Sequence, residues 1–161
     1  MDIFKFAMKM EKDGEAYYNE MSQRTDDKGL KSILSILAND EVKHYRTLEA
    51  MQTEEKPGMA DTQVLSGARN IFTEMKEKNL TPDVRLSQRE MWEKALDVEH
   101  KSENFYRDKS GEMINPKNKD LLLRIAEEEK KHIFLIENII EFITRPKQWV
   151  ENAEFHHLDE Y

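Results

Sequence analysis

Asn39-Asp40-Glu41-Val42-Lys43-His44 is the stretch that decides the fold, because the chain returns to it as Glu127-Glu128-Glu129-Lys130-Lys131-His132, 88 positions further on. Working outward, Ala7 to Glu49 aligns with Ala95 to Glu137 without a gap. Glu11 falls on Glu99, Glu15 on Glu103, Tyr18 on Tyr106, Glu41 on Glu129 and His44 on His132. Each half therefore carries a Glu and, 30 residues later, a Glu-x-x-His. A gap-free register makes the two halves geometrically interchangeable about one central site.

The flanking residues repeat in alternating steps of three and four, the inward seam of a helical bundle. The first seam is Phe4, Ala7, Glu11, Gly14, Tyr18 and Met21. The second is Leu30, Leu34, Leu37, Glu41, His44, Leu48 and Met51. The third is Trp92, Ala95, Glu99, Ser102 and Tyr106. The fourth is Leu122, Ile125, Glu129, His132, Ile136, Ile139 and Ile143. Asp26-Asp27-Lys28-Gly29 separates the first pair of helices, and Ser110-Gly111 with Asn115-Pro116 the second. Ser87-Gln88-Arg89-Glu90 reads as a capping box at the start of the third helix. Arg145-Pro146 ends the fourth.

Between the halves runs a long crossover, from Lys56-Pro57-Gly58 through a helical stretch at Asp61 to Lys78 and out by Thr81-Pro82-Asp83. The expectation is one all-α domain over residues 1–161, with a hairpin at 3–51, a crossover at 52–86, a hairpin at 88–145 and a short tail at 146–161. Two short-looped hairpins joined by one long connection make a ferritin-like four-helix bundle rather than an up-down-up-down one.

Composition agrees. Of 161 residues, 38% are hydrophobic and 36% charged, which suits helices that each bury one stripe. The net charge of −8 argues against nucleic acid or an anionic membrane as partner. No run approaches a membrane span and no signal peptide is visible, so a cytoplasmic location is expected. The absence of cysteine excludes disulfides, thiolate catalysis, Fe–S clusters and Cys-based zinc sites.

Six ionisable groups sit on the apolar seams: Glu11, Glu41, His44, Glu99, Glu129 and His132. Unpaired carboxylates in a bundle core are costly and repel one another. Two divalent cations would neutralise them with directed bonds. Glu41 and Glu129 are placed to bridge, Glu11 and Glu99 to chelate at either end, and each histidine to serve one metal. The mixed O/N set suits iron or manganese better than copper or calcium, and zinc also fits. With 33 acids and five histidines, about one acid-x-x-His is expected by chance, and the chain has four. The other two, Asp97 with His100 and Glu154 with His157, have no seam Glu thirty residues upstream.

The neighbouring residues carry weaker signals. Glu15 and Glu103 lie one turn beyond Glu11 and Glu99, either as additional metal ligands or as rim carboxylates. Tyr18 and Tyr106, two turns beyond, are expected to pack in the core and to hydrogen-bond a ligand carboxylate across the bundle. Trp92, Phe4 and Phe6 are expected to cap the core ends, and Gly14 to permit close helix approach. Lys43, Lys130 and Lys131 read as solvated faces, and His156-His157 as surface tail.

The chain resembles the rubrerythrin-type branch of the ferritin-like superfamily. The resemblance rests on Ala7-x-x-x-Glu11-x-x-Gly14-x-x-Tyr17-Tyr18, Asp40-Glu41-Val42-Lys43-His44, Ala95-x-x-x-Glu99-x-x-Ser102-x-x-Phe105-Tyr106 and Glu128-Glu129-Lys130-Lys131-His132. It implies a non-haem di-iron centre held by the six seam residues, and reduction of hydrogen peroxide or oxidation of ferrous iron. It departs from full-length rubrerythrin in having no four-cysteine rubredoxin module, so a peroxidase would draw on a separate donor such as a rubredoxin-like carrier. It departs too in spacing Glu99 and Glu103 four apart, where rubrerythrin uses a closer carboxylate pair.

The expected function is a di-iron oxidoreductase that reduces hydrogen peroxide or reacts with dioxygen. The alternatives are a ferroxidase handling ferrous iron, or a metal-binding helical interaction module without turnover. A homodimer is expected by analogy of fold, with Trp149, Phe155 and the crossover helix as interface elements.

Overall fold

The computed structural model describes residues 2–53, 58–78 and 86–145, which form helices and no strand. In chain order these are α1 (Ile3–Arg24), α2 (Lys28–Gln52), α3 (Val64–Glu77), α4 (Leu86–Ser110) and α5 (Pro116–Thr144). Their starts follow local chemistry. The Asp2 carboxylate accepts from the backbone N–H groups of Phe4 and Lys5, and Asp27 from that of Leu30 at 2.9 Å. Asn115 accepts from Lys117 N–H at 2.9 Å, with Pro116 at the first helical position, where a missing N–H costs nothing.

The α1/α2 and α4/α5 pairs are the two tightly packed hairpins, and α3 lies on α2 and α5. The crossover helix buries Val64, Ala68, Phe72 and Met75, with Phe72 edge-on to Phe142 at 5.2 Å. Gly67 lets it approach α2, since a Cβ there would lie 2.8 Å from the Ile36 side chain. Arg124 on α5 ties down the preceding segment by donating to the Met59 carbonyl at 2.7 Å. This is the all-α, ferritin-like arrangement that the repeat and the long connection predict.

The apolar core is in two parts. One holds Tyr18, Leu37, Trp92 and Ile136 among others, and the second holds Ala7, Leu48, Tyr106 and Ile125. The polar seam positions lie between them.

Several local expectations are corrected. The helical stretch of the crossover begins at Val64 rather than Asp61. The capping box at Ser87 is not a helix start, because α4 already runs from Leu86; Gln88 instead donates to the Arg24 carbonyl at 3.1 Å. Phe6 does not cap the core. It is 44% exposed and stands against Phe105 at 5.2 Å. Trp92 is buried as expected. Lys56-Pro57, Thr81-Pro82-Asp83, Pro146, Trp149, Phe155 and His156-His157 lie outside the described residues. No helix among the described residues is long and apolar enough to cross a membrane.

Candidate metal centre

Each long helix turns one or two ionisable side chains inward at the same level. α1 supplies Glu11, α2 Glu41 and His44, α4 Glu99, and α5 Glu129 and His132. None is more than 4% exposed. The i and i+3 spacing puts Glu41 and His44, like Glu129 and His132, on one side of their helix. The six fall into two groups: Glu11, Glu41, His44 and Glu129, and Glu41, Glu99, Glu129 and His132. Within each group the ligand-type atoms lie within 4.8 Å of one another. Glu41 and Glu129 belong to both.

The histidine and tyrosine contacts of the two halves are related by a pseudo-two-fold. His44 Nδ1 faces Glu11 at 3.4 Å and Glu129 at 2.9 Å. His132 Nδ1 faces Glu99 at 3.3 Å and Glu41 at 3.5 Å. The imidazole rings stack at 6.0 Å. The Tyr18 hydroxyl donates to Glu99 and the Tyr106 hydroxyl to Glu11, each crossing the bundle to the other half.

The outward nitrogens have partners that sequence reasoning missed. His132 Nε2 lies 2.8 Å from Asp40 Oδ2, and His44 Nε2 lies 2.9 Å from Glu128 Oε1. A carboxylate only accepts, so Nε2 carries the hydrogen and Nδ1 is left to face the cluster. Thr62, just before α3, donates to Asp40. Lys43, read as a solvated face, is in fact half-buried: its Nζ lies 2.6 Å from Glu128 and 3.5 Å from Asp40, offsetting part of the charge of the histidine-holding pair. The repeat held the clue, since Asp40 falls on Glu128 and both are buried acids beside a seam Glu.

Electrostatics divide the six groups without a metal. Burial acts to raise Glu11 and Glu99, but their partners outweigh it. The Glu41 carboxyl, His44 and Tyr106 hold Glu11 low, and His132, Glu129 and Tyr18 bring Glu99 down to about 2. Burial and the charges of Glu11 and Glu129 push Glu41 well up, and burial and Glu99 do the same to Glu129. Burial works to lower both imidazoles, but Glu11, Glu128 and Glu129 hold His44 well above its ordinary value. Glu99, Asp40 and Glu41 do so for His132. Without a metal the shifts therefore run toward charge on Glu11 and Glu99 and toward protons retained on Glu41, Glu129, His44 and His132. Divalent cations would take over the neutralising role of those protons.

The residues also fit a metal atom by atom. Glu11 Oε2, Glu41 Oε1, Glu99 Oε2, Glu129 Oε1 and His44 Nδ1 are buried without a hydrogen-bond partner. Buried polar atoms are rarely left so. These five belong to the two groups and are hard oxygen or imidazole donors of the type iron, manganese and zinc take. The sixth such atom among the described residues, Lys43 Nζ, lies outside the groups and is ion-paired with Glu128.

Other candidates fall elsewhere. Glu15 pairs with Lys12 at 3.2 Å and Glu103 with Arg107 at 2.9 Å, at the rim and outside both groups. Gly14 makes room for a carboxylate rather than a helix backbone: a Cβ there would lie 2.8 Å from Glu41 Oε2.

Comparison with known proteins gives one family. The family model described as Rubrerythrin matches residues 2–140, a span holding both hairpins and all six inward residues. No curated protein and no solved structure matches the chain. A match over most of the sequence, on a bundle whose repeated halves meet at a shared carboxylate and histidine cluster, places this chain in the rubrerythrin family.

Proposed function

We propose that the protein is a non-haem di-iron oxidoreductase that reduces hydrogen peroxide or reacts with dioxygen. The observation that carries the reading is the pair of overlapping four-residue groups sharing Glu41 and Glu129. Glu11 and His44 would hold one iron, Glu99 and His132 the second, with the shared carboxylates between them. Bound there, the irons would supply Lewis acidity and the two electrons that, with two protons, reduce peroxide to two waters.

The chain's own residues prepare that site. Asp40 and Glu128 hold the Nε2 hydrogens of His132 and His44, which orients each Nδ1 inward. Tyr18 and Tyr106 keep their protons at Oη, since burial and the neighbouring carboxylates push both phenols well up. They therefore remain donors to Glu99 and Glu11 and fix the end carboxylates. The apolar layers on either side exclude bulk water. The electrons would be returned from a donor outside these 161 residues, which contain no cysteine for a rubredoxin-type iron site.

Stopped-flow mixing of the ferrous-loaded protein with hydrogen peroxide tests the reading. Oxidation well above the rate of free ferrous iron is expected. A rate no faster than that of free iron overturns it.

A further inference from the structure

The two hairpins meet loosely along α1 and α4. A cleft of about 520 Å³ opens there, lined by Met10, Gly14 and Tyr17 from α1 and Val98, Ser102 and Phe105 from α4. These are three of the four pairs of repeat-equivalent positions on the lining, Asp13 and Lys101 being the fourth, so the cleft straddles the pseudo-two-fold that passes through the inward cluster. Two cross-links bound it. The Phe6 and Phe105 rings meet at 5.2 Å at one end, and the Tyr17 hydroxyl donates to the Met91 carbonyl at 2.8 Å at the other. Glu11 and Glu99 follow Met10 and Val98 directly and turn inward at the same level.

The floor is what separates this cleft from an ordinary surface groove. Gly14 lines it, and the first atom of any side chain at that position would lie 2.8 Å from Glu41 Oε2. Behind a bare backbone therefore stands a carboxylate that is 4% exposed and has its second oxygen, Oε1, without a hydrogen-bond partner. On the histidine side, by contrast, Asp40, Glu128 and Lys43 close the cluster with charge.

We infer that the cleft between α1 and α4 is the port by which a small neutral oxidant, hydrogen peroxide or dioxygen, reaches the cluster over Gly14. The inference rests on the oxidoreductase reading above. Asp13 and Lys101 also border the cleft, but they stand exposed and paired with Lys9 and Asp97 on their own helices. The rest of the lining is mainly apolar, which admits neutral molecules and penalises ions that must shed their hydration to enter. Val98, 40% exposed on the lining, is the residue at which the mouth is best blocked.

Two measurements on wild type and Val98→Trp test it, with Leu123→Trp, on the exposed side of α5, as control. In the metal-free protein under oxygen pressure, the methyl NMR signal of Met10 is expected to broaden several-fold more than that of Met8, which does not line the cleft. Val98→Trp should abolish the excess. In the ferrous-loaded protein, Val98→Trp should slow oxidation by peroxide and by dioxygen at least tenfold while binding as much iron as wild type. An effect on one oxidant alone assigns the port to that oxidant. Unchanged rates and no excess broadening, with wild type reacting fast, overturn the port and leave the oxidoreductase reading standing. Failure of wild type to react with either oxidant overturns both.

Discussion

Gly14 and Asp40 are the single residues on which the cluster depends most beyond its ligand-type set. Gly14→Ala replaces the least favourable helix residue after proline with the best, worth about 1 kcal/mol to an unstrained helix. The same Cβ would meet Glu41 Oε2 at 2.8 Å and displace a shared carboxylate. Metal-free stability should therefore change by no more than about 1 kcal/mol, while metal affinity falls at least about tenfold; thermal melts and calorimetric titration read the two separately. Asp40→Asn keeps the shape but weakens the acceptor at His132 Nε2. Loss of such an outer partner costs about 10–100-fold in metal affinity, and equilibrium dialysis with ferrous iron or zinc would detect it. The six inward residues were legible in the sequence because charge on an apolar seam is anomalous and the repeat showed the anomaly twice. Asp40 and Glu128 were not read as histidine partners, because which acid faces which ring depends on how two hairpins dock.

At the scale of elements, the seams were legible and the ends were not. Nearly every residue placed on the four seams is buried, with Phe4 and Ile143 partly so, because helical periodicity reports which face meets the core. The start of α4 was misread since Ser87 and Glu90 have the spacing of a capping box although Leu86 is already helical. Phe6 was misread since periodicity cannot tell a core end from a cleft wall. The crossover helix was visible, but not that it would bury Phe72 against Phe142 on α5. That contact should be structural alone. Phe72→Ala is expected to cost about 3–5 kcal/mol, seen in chemical denaturation, and to leave metal stoichiometry unchanged.

For the whole molecule, the charge balance of the cluster sets opposite pH responses with and without metal. In the metal-free fold Glu41 and Glu129 keep protons that the unfolded chain releases near 4.5, and His44 and His132 keep protons released near 6.5. The native state then binds more protons than the unfolded one, so stability falls as pH rises above these values. Asp40 and Glu99, held at about 2, act oppositely: their contribution is present above 3.8 and 4.5 and is lost as pH falls toward 2. Metal-free stability should peak in mildly acidic solution and decline through neutrality, whereas metal affinity rises with pH because protons must leave. Melting temperatures of both forms across pH would reveal the divergence, and metal uptake should release protons to a pH-stat, since the shifts of Glu41, Glu129, His44 and His132 all run toward proton retention in the metal-free fold.

The most direct test of a shared two-metal cluster is anaerobic titration with ferrous iron, comparing wild type with the Glu41→Ala/Glu129→Ala double variant. Two irons per wild-type chain and none in the variant is the expected result. No bound iron, or iron that persists unchanged in the variant, would contradict it.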